Sequence, residues 1–303
     1  EVNRYQSEIT DIVRRRGAFG QRIKQVPATG HPSRFFEQTG INSPSAANAF
    51  VDPRNIVATV GSPTRAERSV PLKALVSQIN YNLFDTEVGA QQSQFAFLQA
   101  KDLSDSVDGL MRTHDVALWN GNDTSLTTPT TNQYYGATKQ IADGGNLATI
   151  DLTDSIVDGF KETIAQMVAN SSFEVRPTAI YANPVLLDLI DREMKADFNV
   201  VLSTAEIAGG VRVKTLSTQA GELPLIPEWA LGYTGTPGSG SAVLPAYIVS
   251  EEMIEFHWLT DPNPRVFQLG LSGALASQMV VVKFGAIVVK GAGYAHFKVN
   301  VNR

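Results

Sequence analysis

The chain has 303 residues, 43% of them apolar and 18% charged, which allows a sizeable core and excludes collagen-like or wholly disordered classes. It contains no cysteine, so disulfides, thiolate nucleophiles, iron–sulfur clusters and thiolate zinc sites are excluded together. The net charge of −5 is unevenly spread, with 11 Lys/Arg against 6 Asp/Glu in residues 1–80 and 14 against 24 in residues 81–303.

A basic front on an acidic body predicts that the front meets something negative, either nucleic acid or the body of a neighbouring copy. The opening EVNRYQSEITDIVRRRG lacks the apolar core of a signal peptide. Its first residue is Glu1, which fits a trimmed sequence or the removal of a leading segment. Residues 1–50 read as an arm. Ile9, Ile12 and Val13 suit one amphipathic turn or two, closed by Arg14, Arg15, Arg16 and Gly17. The following stretch is broken by Pro27, Gly30, Pro32, Gly40 and Pro44, with too little periodic apolar surface to fold alone.

Residues 51–90 predict an extended hairpin. Ile56, Val57, Thr59 and Val60 suit one strand, GSPTRAERS the turn, and residues 70–84 the return strand. A hairpin of this kind is marginal in water and must lean on something. Residues 91–120 predict one long helix of about 45 Å, closed by Gly121. After the polar linker NDTSLTTPTTNQ, YYGATKQIADGGN reads as an irregular crossing. Residues 153–169 predict a helix with Thr153 as N-cap and Ile156, Val157, Phe160, Ile164, Met167 and Val168 as its buried stripe. A strand over 175–182 leads to a helix opened by Asn183 as N-cap and Pro184 at its first turn. VRVKTL and the loop GTPGSGSA follow. The last sixty residues are strand-rich, with a central strand over 280–289 and alternation at Ala295, Phe297, Val299 and Val301. Helices and strands are segregated, which predicts an α+β fold.

Searches for chemistry fail one by one. The four histidines, His31, His114, His257 and His296, fit no HExxH pattern and read as surface or interface groups. GxSxG and Walker patterns are absent, and residues 235–240 mimic a phosphate loop only as GxxGxG with a proline inside. Asp102, Asp105 and Asp108 recur at i, i+3 and i+6 and read as a solvated or Arg-facing acidic stripe, not a metal site. Two sequons, at Asn122 and Asn170, carry little without a secretion signal. The longest apolar run, residues 279–289, is interrupted by Lys283 and is too short for a membrane span. No catalytic residue, metal or cofactor is expected. Arg4, Arg14, Arg15, Arg16, Arg22, Lys24 and Arg34 suit only phosphate-driven, sequence-independent contact with nucleic acid.

The order of arm, hairpin, long helix, α/β middle and returning strands resembles the major capsid proteins of tailed bacteriophages, the Hong Kong 97-type fold shared with encapsulins. YNLFDTEVG before the helix ending HDVALWNGND, then NQYYGATKQIA and RPTAIYANPVLLDLIDREM, carry the resemblance. It implies an N-terminal arm (1–50), an extended hairpin loop (51–90), a peripheral domain with a spine helix (91–145 and 245–303) and an axial domain (146–244). It implies hexamers and pentamers of an icosahedral shell enclosing double-stranded DNA, assembled in a host cytoplasm. Portal, scaffold and decoration proteins are its further partners. An encapsulin shell around a cargo enzyme, or an unrelated α+β enzyme or binding protein, are the alternatives. Within this reading Arg65 and Arg68 are expected at the hairpin tip in inter-subunit, not intramolecular, salt bridges, with Asp102, Asp105 and Asp108 of a neighbour as receivers. Arg14 to Arg16 are expected to face the shell interior or floor.

Overall fold

The computed structural model describes residues 17–41, 63–82, 95–170, 172–197, 202–207, 211–238, 240–269 and 276–303, with isolated positions between 50 and 87. Two sheets share one interior. The larger orders its strands β5 (Leu147–Ile150), β14 (Phe297–Asn302), β10 (Val243–Val249), β6 (Ala179–Ala182), β9 (Gly221–Pro227), β8 (Val211–Thr218) and β7 (Thr204–Ile207). The smaller is built on the 14-residue β13 (Ala276–Val289). β4 (Lys73–Asn82) runs along one side of β13, while β11 (Ile254–Trp258) and β12 (Arg265–Leu269) share the other. β1 (Lys24–Pro27) adds in parallel to β11. A third element is a two-stranded ribbon of β2 (Ser33–Gly40) and β3 (Thr64–Val70).

Period-2 side chains make the larger sheet an interior wall with two apolar faces. On one face Ile180, Ala182, Leu244, Ala246, Ile248, Val299 and Val301 meet helices α4 (Ile156–Val168) and α5 (Pro184–Asp197). On the other, Ala179, Tyr181, Tyr247 and Val249 join Leu118 and Trp119 of α2 (Phe95–Asn120), Ile141 of α3 (Ala137–Asp143), and Ile254, Phe256, Ile287 and Val289 of the smaller sheet.

Local signals set the helix ends. Asn183 Oδ1 accepts from Val185 N–H at 3.0 Å, and Pro184 opens α5, as its sequence predicts. α4 is capped two residues later than expected. Ser155, not Thr153, accepts from Asp158 N–H, and Glu193 of α5 accepts from the Ile156 and Val157 amides at 3.0 and 3.1 Å. Val168 lies outside the buried stripe. α2 spans 26 residues, about 39 Å, and ends where Gly121 N–H returns to Ala117 O at 3.0 Å. Only glycine fits at 121, since a Cβ would meet Tyr134 O at 2.3 Å. The stretch expected as an irregular crossing contains α3, whose Gln140 amide bonds Ile287 O and Val289 N–H of β13.

The front of the chain departs most from expectation. Residues 17–27 belong to the body. Gly17 N–H donates to the buried Asp115, Phe19 N–H to the buried Glu228, and the Phe19 ring lies 4.1 Å from that of Trp119. Arg22 grips Glu251 with two bonds, of 2.6 and 2.8 Å. The hairpin also shifts: TRAERS of the expected turn lies in strand β3, whose partner is SRFFEQTG of the expected arm. Residues 73–82, within the return strand expected over 70–84, instead pair with β13. β10 and β14, assigned from the sequence to the long helix's unit, complete the larger sheet.

Candidate assembly surfaces

Residues paired directly across two strands share a face, which assigns each ribbon side chain a direction. Ser33, Phe35 and Glu37 with Val70, Arg68 and Ala66 look toward the body; Arg34, Phe36 and Gln38 with Ser69, Glu67 and Arg65 look away. At the root, Phe35 and Val70 pack on Ala286 and Val288 of β13. One step further out, Glu37 accepts from Gly291 N–H at 3.2 Å and from Arg68 Nε at 2.8 Å. A cavity of about 340 Å³, lined by Glu37, Arg68, Tyr135, Asp143 and Tyr294, remains between ribbon and body.

This geometry separates the two arginines singled out by the sequence. Neither occupies a turn, because both stand on β3. Arg68 makes an intramolecular ion pair with Glu37, against the expectation of a purely inter-subunit role. Arg65 lies on the outward face, its Nε 3.4 Å from Gln38 Oε1. The acidic stripe lies on α2 and is partly engaged by its own chain. Asp105 pairs with Lys101 at 2.8 Å, and Asp102 hydrogen-bonds Tyr81, whose hydroxyl is pushed up by burial and then by that carboxylate. Asp108 is half-buried. Arg14, Arg15 and Arg16 lie outside the described residues.

The smaller sheet has two unlike faces. Its inner face carries Ser77, Tyr81 and Val281 and is covered by α2, with Ser77 Oγ 2.9 Å from Ser106 Oγ. Its outer face carries Val76, Val280, Val282 and Phe284, flanked by Phe267 and Leu269 of β12. The ribbon root covers only the Ala286–Val288 end of that face. Beyond it Val76 is 57% exposed, Leu269 48%, Phe267 42% and Phe284 37%. A contiguous apolar face rimmed by Arg265, Gln78 and Asn80 is the signature of a surface meant to be covered. On the ribbon's outward face Phe36 is 69% exposed. Sequence reading missed this patch and Phe36. The signals were VFQL near an apolar β13, and a Pro- and Gly-free RFFEQT between Pro32 and Gly40.

The histidines read as surface or interface groups are, in three cases, buried within the chain. His114 lies against Phe256, its ring centroid 4.8 Å away, and His296 is wholly enclosed. His257 stands between Ser33 (Oγ 2.9 Å from Nδ1) and Glu255 (Oε2 3.2 Å from Nε2). The order is that of a nucleophile–base–acid relay, but Ser33 has no exposed surface for a substrate to meet. This trio holds the ribbon root. Among the described residues no group of three or more His, Asp or Glu side chains is placed to hold a metal ion, and no helix is long and apolar enough to cross a membrane.

No protein-family model matches the chain, and no curated protein matches it in sequence. Solved structures do match. One of Gordonia phage Cozz aligns with 99% of this chain and 90% of its own, at 14% identity and a TM-score of 0.63. The capsid of an empty GTA particle aligns with 98% of this chain and 100% of its own, at 12% identity and a TM-score of 0.62. This chain has a capsid fold. The holo-SrpI encapsulin complex of Synechococcus elongatus shares it, over 93% of this chain and 86% of its own, at 13% identity and a TM-score of 0.57. Among the described residues, the ribbon and the bare outer sheet face are two surfaces that the core leaves unused.

Proposed function

We propose that the chain is the major capsid protein of a tailed bacteriophage, assembling as hexamers and pentamers into a closed icosahedral shell around double-stranded DNA. The observation that carries this reading is the bare apolar face of Val76, Val282, Phe284, Phe267 and Leu269 beside a projecting ribbon with an exposed Phe36. A monomer would leave both in water, whereas a closed lattice buries each copy's face with its neighbours and sums many modest contacts. The ribbon serves as the extended loop reaching a neighbour. α2 with the smaller sheet forms the peripheral domain, and the larger sheet with α4 and α5 forms the axial one. Arg65, on the outward face of the ribbon, is the arginine free to meet a neighbour's acidic α2; Arg68 holds the ribbon's own root. In this reading the Arg14–Arg16 run serves the shell interior or its floor, with any DNA contact non-specific and phosphate-driven. The role is structural, with no reaction to catalyse, and its place is the virion. Portal, scaffold and decoration proteins complete the partners of this reading.

The encapsulin among the structural neighbours supports a second reading, a shell around a cargo enzyme. Electron microscopy of native particles with an ultraviolet absorbance ratio separates the two. Closed shells rich in nucleic acid are expected. Shells filled with protein alone would favour the encapsulin, and native material without shells would end both.

A further inference from the structure

The ribbon's root is seated on a buried polar group that the packing of the sheets does not require. Ser33 on β2 and His257 on β11 lie 224 residues apart in sequence, and both are buried at their contact. Glu255, two residues before His257, accepts from Lys290 Nζ at 2.6 Å, from Lys24 Nζ at 3.4 Å and from His257 Nε2 at 3.2 Å. With that carboxylate ionised, the imidazole proton sits on Nε2, so Nδ1 is the acceptor and Ser33 Oγ–H the donor. Ser33 Oγ in turn lies 3.4 Å from the Thr29 amide, which donates to it. While the ring is neutral, the hydroxyl hydrogen points to Nδ1.

A second proton on this imidazole is opposed by burial and by Lys290 and favoured by Glu255. Its hydroxyl partner already points a hydrogen at Nδ1, and the seat holds two ammonium groups against one carboxylate. Lys24 comes from β1, Lys290 from the end of β13, and Glu255 from β11 itself. Phe35 of the ribbon covers the imidazole with ring centroids 6.0 Å apart, and Lys290 Nζ lies 5.6 Å from the centre of that same Phe35 ring. Lys283 is turned to the opposite face of the sheet, over Phe256, and Glu37 and Arg68 hold each other one step further along the ribbon. We propose that this seat is an acid-sensitive latch: a proton taken up at His257 Nδ1 displaces the Ser33 hydroxyl and releases the ribbon root from the body. Burial holds the imidazole below its ordinary pKa, partly offset by Glu255, as a neutral latch requires. The latch follows from one chain's geometry and stands whether or not the chain forms shells.

Hydrogen exchange of the full chain at pH 7.5 and pH 5.0, corrected for intrinsic rates, tests it. The reporters are amides of 33–40 and 64–70, referenced to β10 and β14. Their relative protection is expected to fall several-fold on acidification, because the released root takes up the proton more readily than the closed one. His257→Gln is expected to abolish that fall. Ser33→Ala keeps the imidazole, and is expected to lower root protection already at pH 7.5 and to shrink the further fall. His31, whose Nδ1 accepts from Leu72 N–H at 3.2 Å near the same root, supplies the control. His31→Gln should respond as the unaltered chain does. An unaltered chain with no fall would overturn the latch, as would an equal fall in His257→Gln. So would a Ser33→Ala chain identical to the parent, or a response abolished by His31→Gln.

Discussion

His296 shows how a single enclosed group ties this fold to pH. Its Nδ1 faces the Ser250 amide at 3.4 Å and its Nε2 the Lys290 carbonyl at 3.1 Å, a pairing that suits the neutral ring. Burial pushes its pKa down to about 4, the Lys290 carbonyl opposing only in part. The unfolded chain therefore takes up this proton first. Stability is full above about pH 6.5 and falls as pH drops toward 4, by roughly 3 kcal/mol over that window. Urea unfolding at pH 7 and 4.5 should show this loss, and His296→Gln should flatten the profile. Asp123 is the opposite case. Burial raises its carboxyl, but the Thr130 amide, Lys73 Nζ at 3.0 Å, the Thr124 amide and the Thr130 hydroxyl outweigh that and hold it well below the usual range. Asp123→Ala strands a nearly buried ammonium and is expected to cost about 3–5 kcal/mol in unfolding free energy, measured by denaturant titration. Neither role was legible in the sequence. His257 and His296 stand at the polar phase of alternating strands, a phase that implies exposure only where one sheet face is wet. Here the ribbon root covers His257, and the segments carrying Ser250 and Lys290 enclose His296.

At the scale of elements, the signals that proved reliable were short-range and stereochemical. Asn183-Pro184 opens α5 where its chemistry dictates, and Asn183→Ala should lower stability by about 1 kcal/mol. The cap of α4 is less local. Glu193 on α5 satisfies the amides of Ile156 and Val157, so Glu193→Ala should loosen the α4–α5 pair, read as faster amide exchange in the first turn of α4. No inspection of residues 150–160 alone could find a cap 37 residues away, which is why Thr153 looked as good as Ser155. The ribbon was misplaced for a related reason. Pro32 and Gly40 mark the limits of β2 but read as breakers of an arm, and the charged TRAERS reads as a turn until its pairing with SRFFEQTG is known. Pairing between strands some thirty residues apart is set by the anchor of Phe35 and Val70 on β13, information that no local window contains.

For the molecule as a whole, the sequence disclosed the class and the structure located the surfaces. The mixed helix-and-strand class and a long helix ending at Gly121 were readable. The outer sheet face was not, because Val76 and Phe284 look like core residues in any strand pattern and are recognised as bare only once α2 is seen on the opposite side. The two arginines of β3 should now behave differently. Arg65→Glu is expected to leave folding intact and weaken assembly, whereas Arg68→Glu breaks the pair with Glu37 and should raise protease sensitivity at the ribbon before any assembly effect.

The most direct test is sedimentation velocity of the full chain beside a Val76→Ser, Phe284→Ser double variant whose circular dichroism matches the parent. The parent should run as large closed particles, and the variant should remain at the size of monomers or small oligomers. Equal yields of closed particles from both would contradict the account, since the bare outer face would then play no part in the proposed shell.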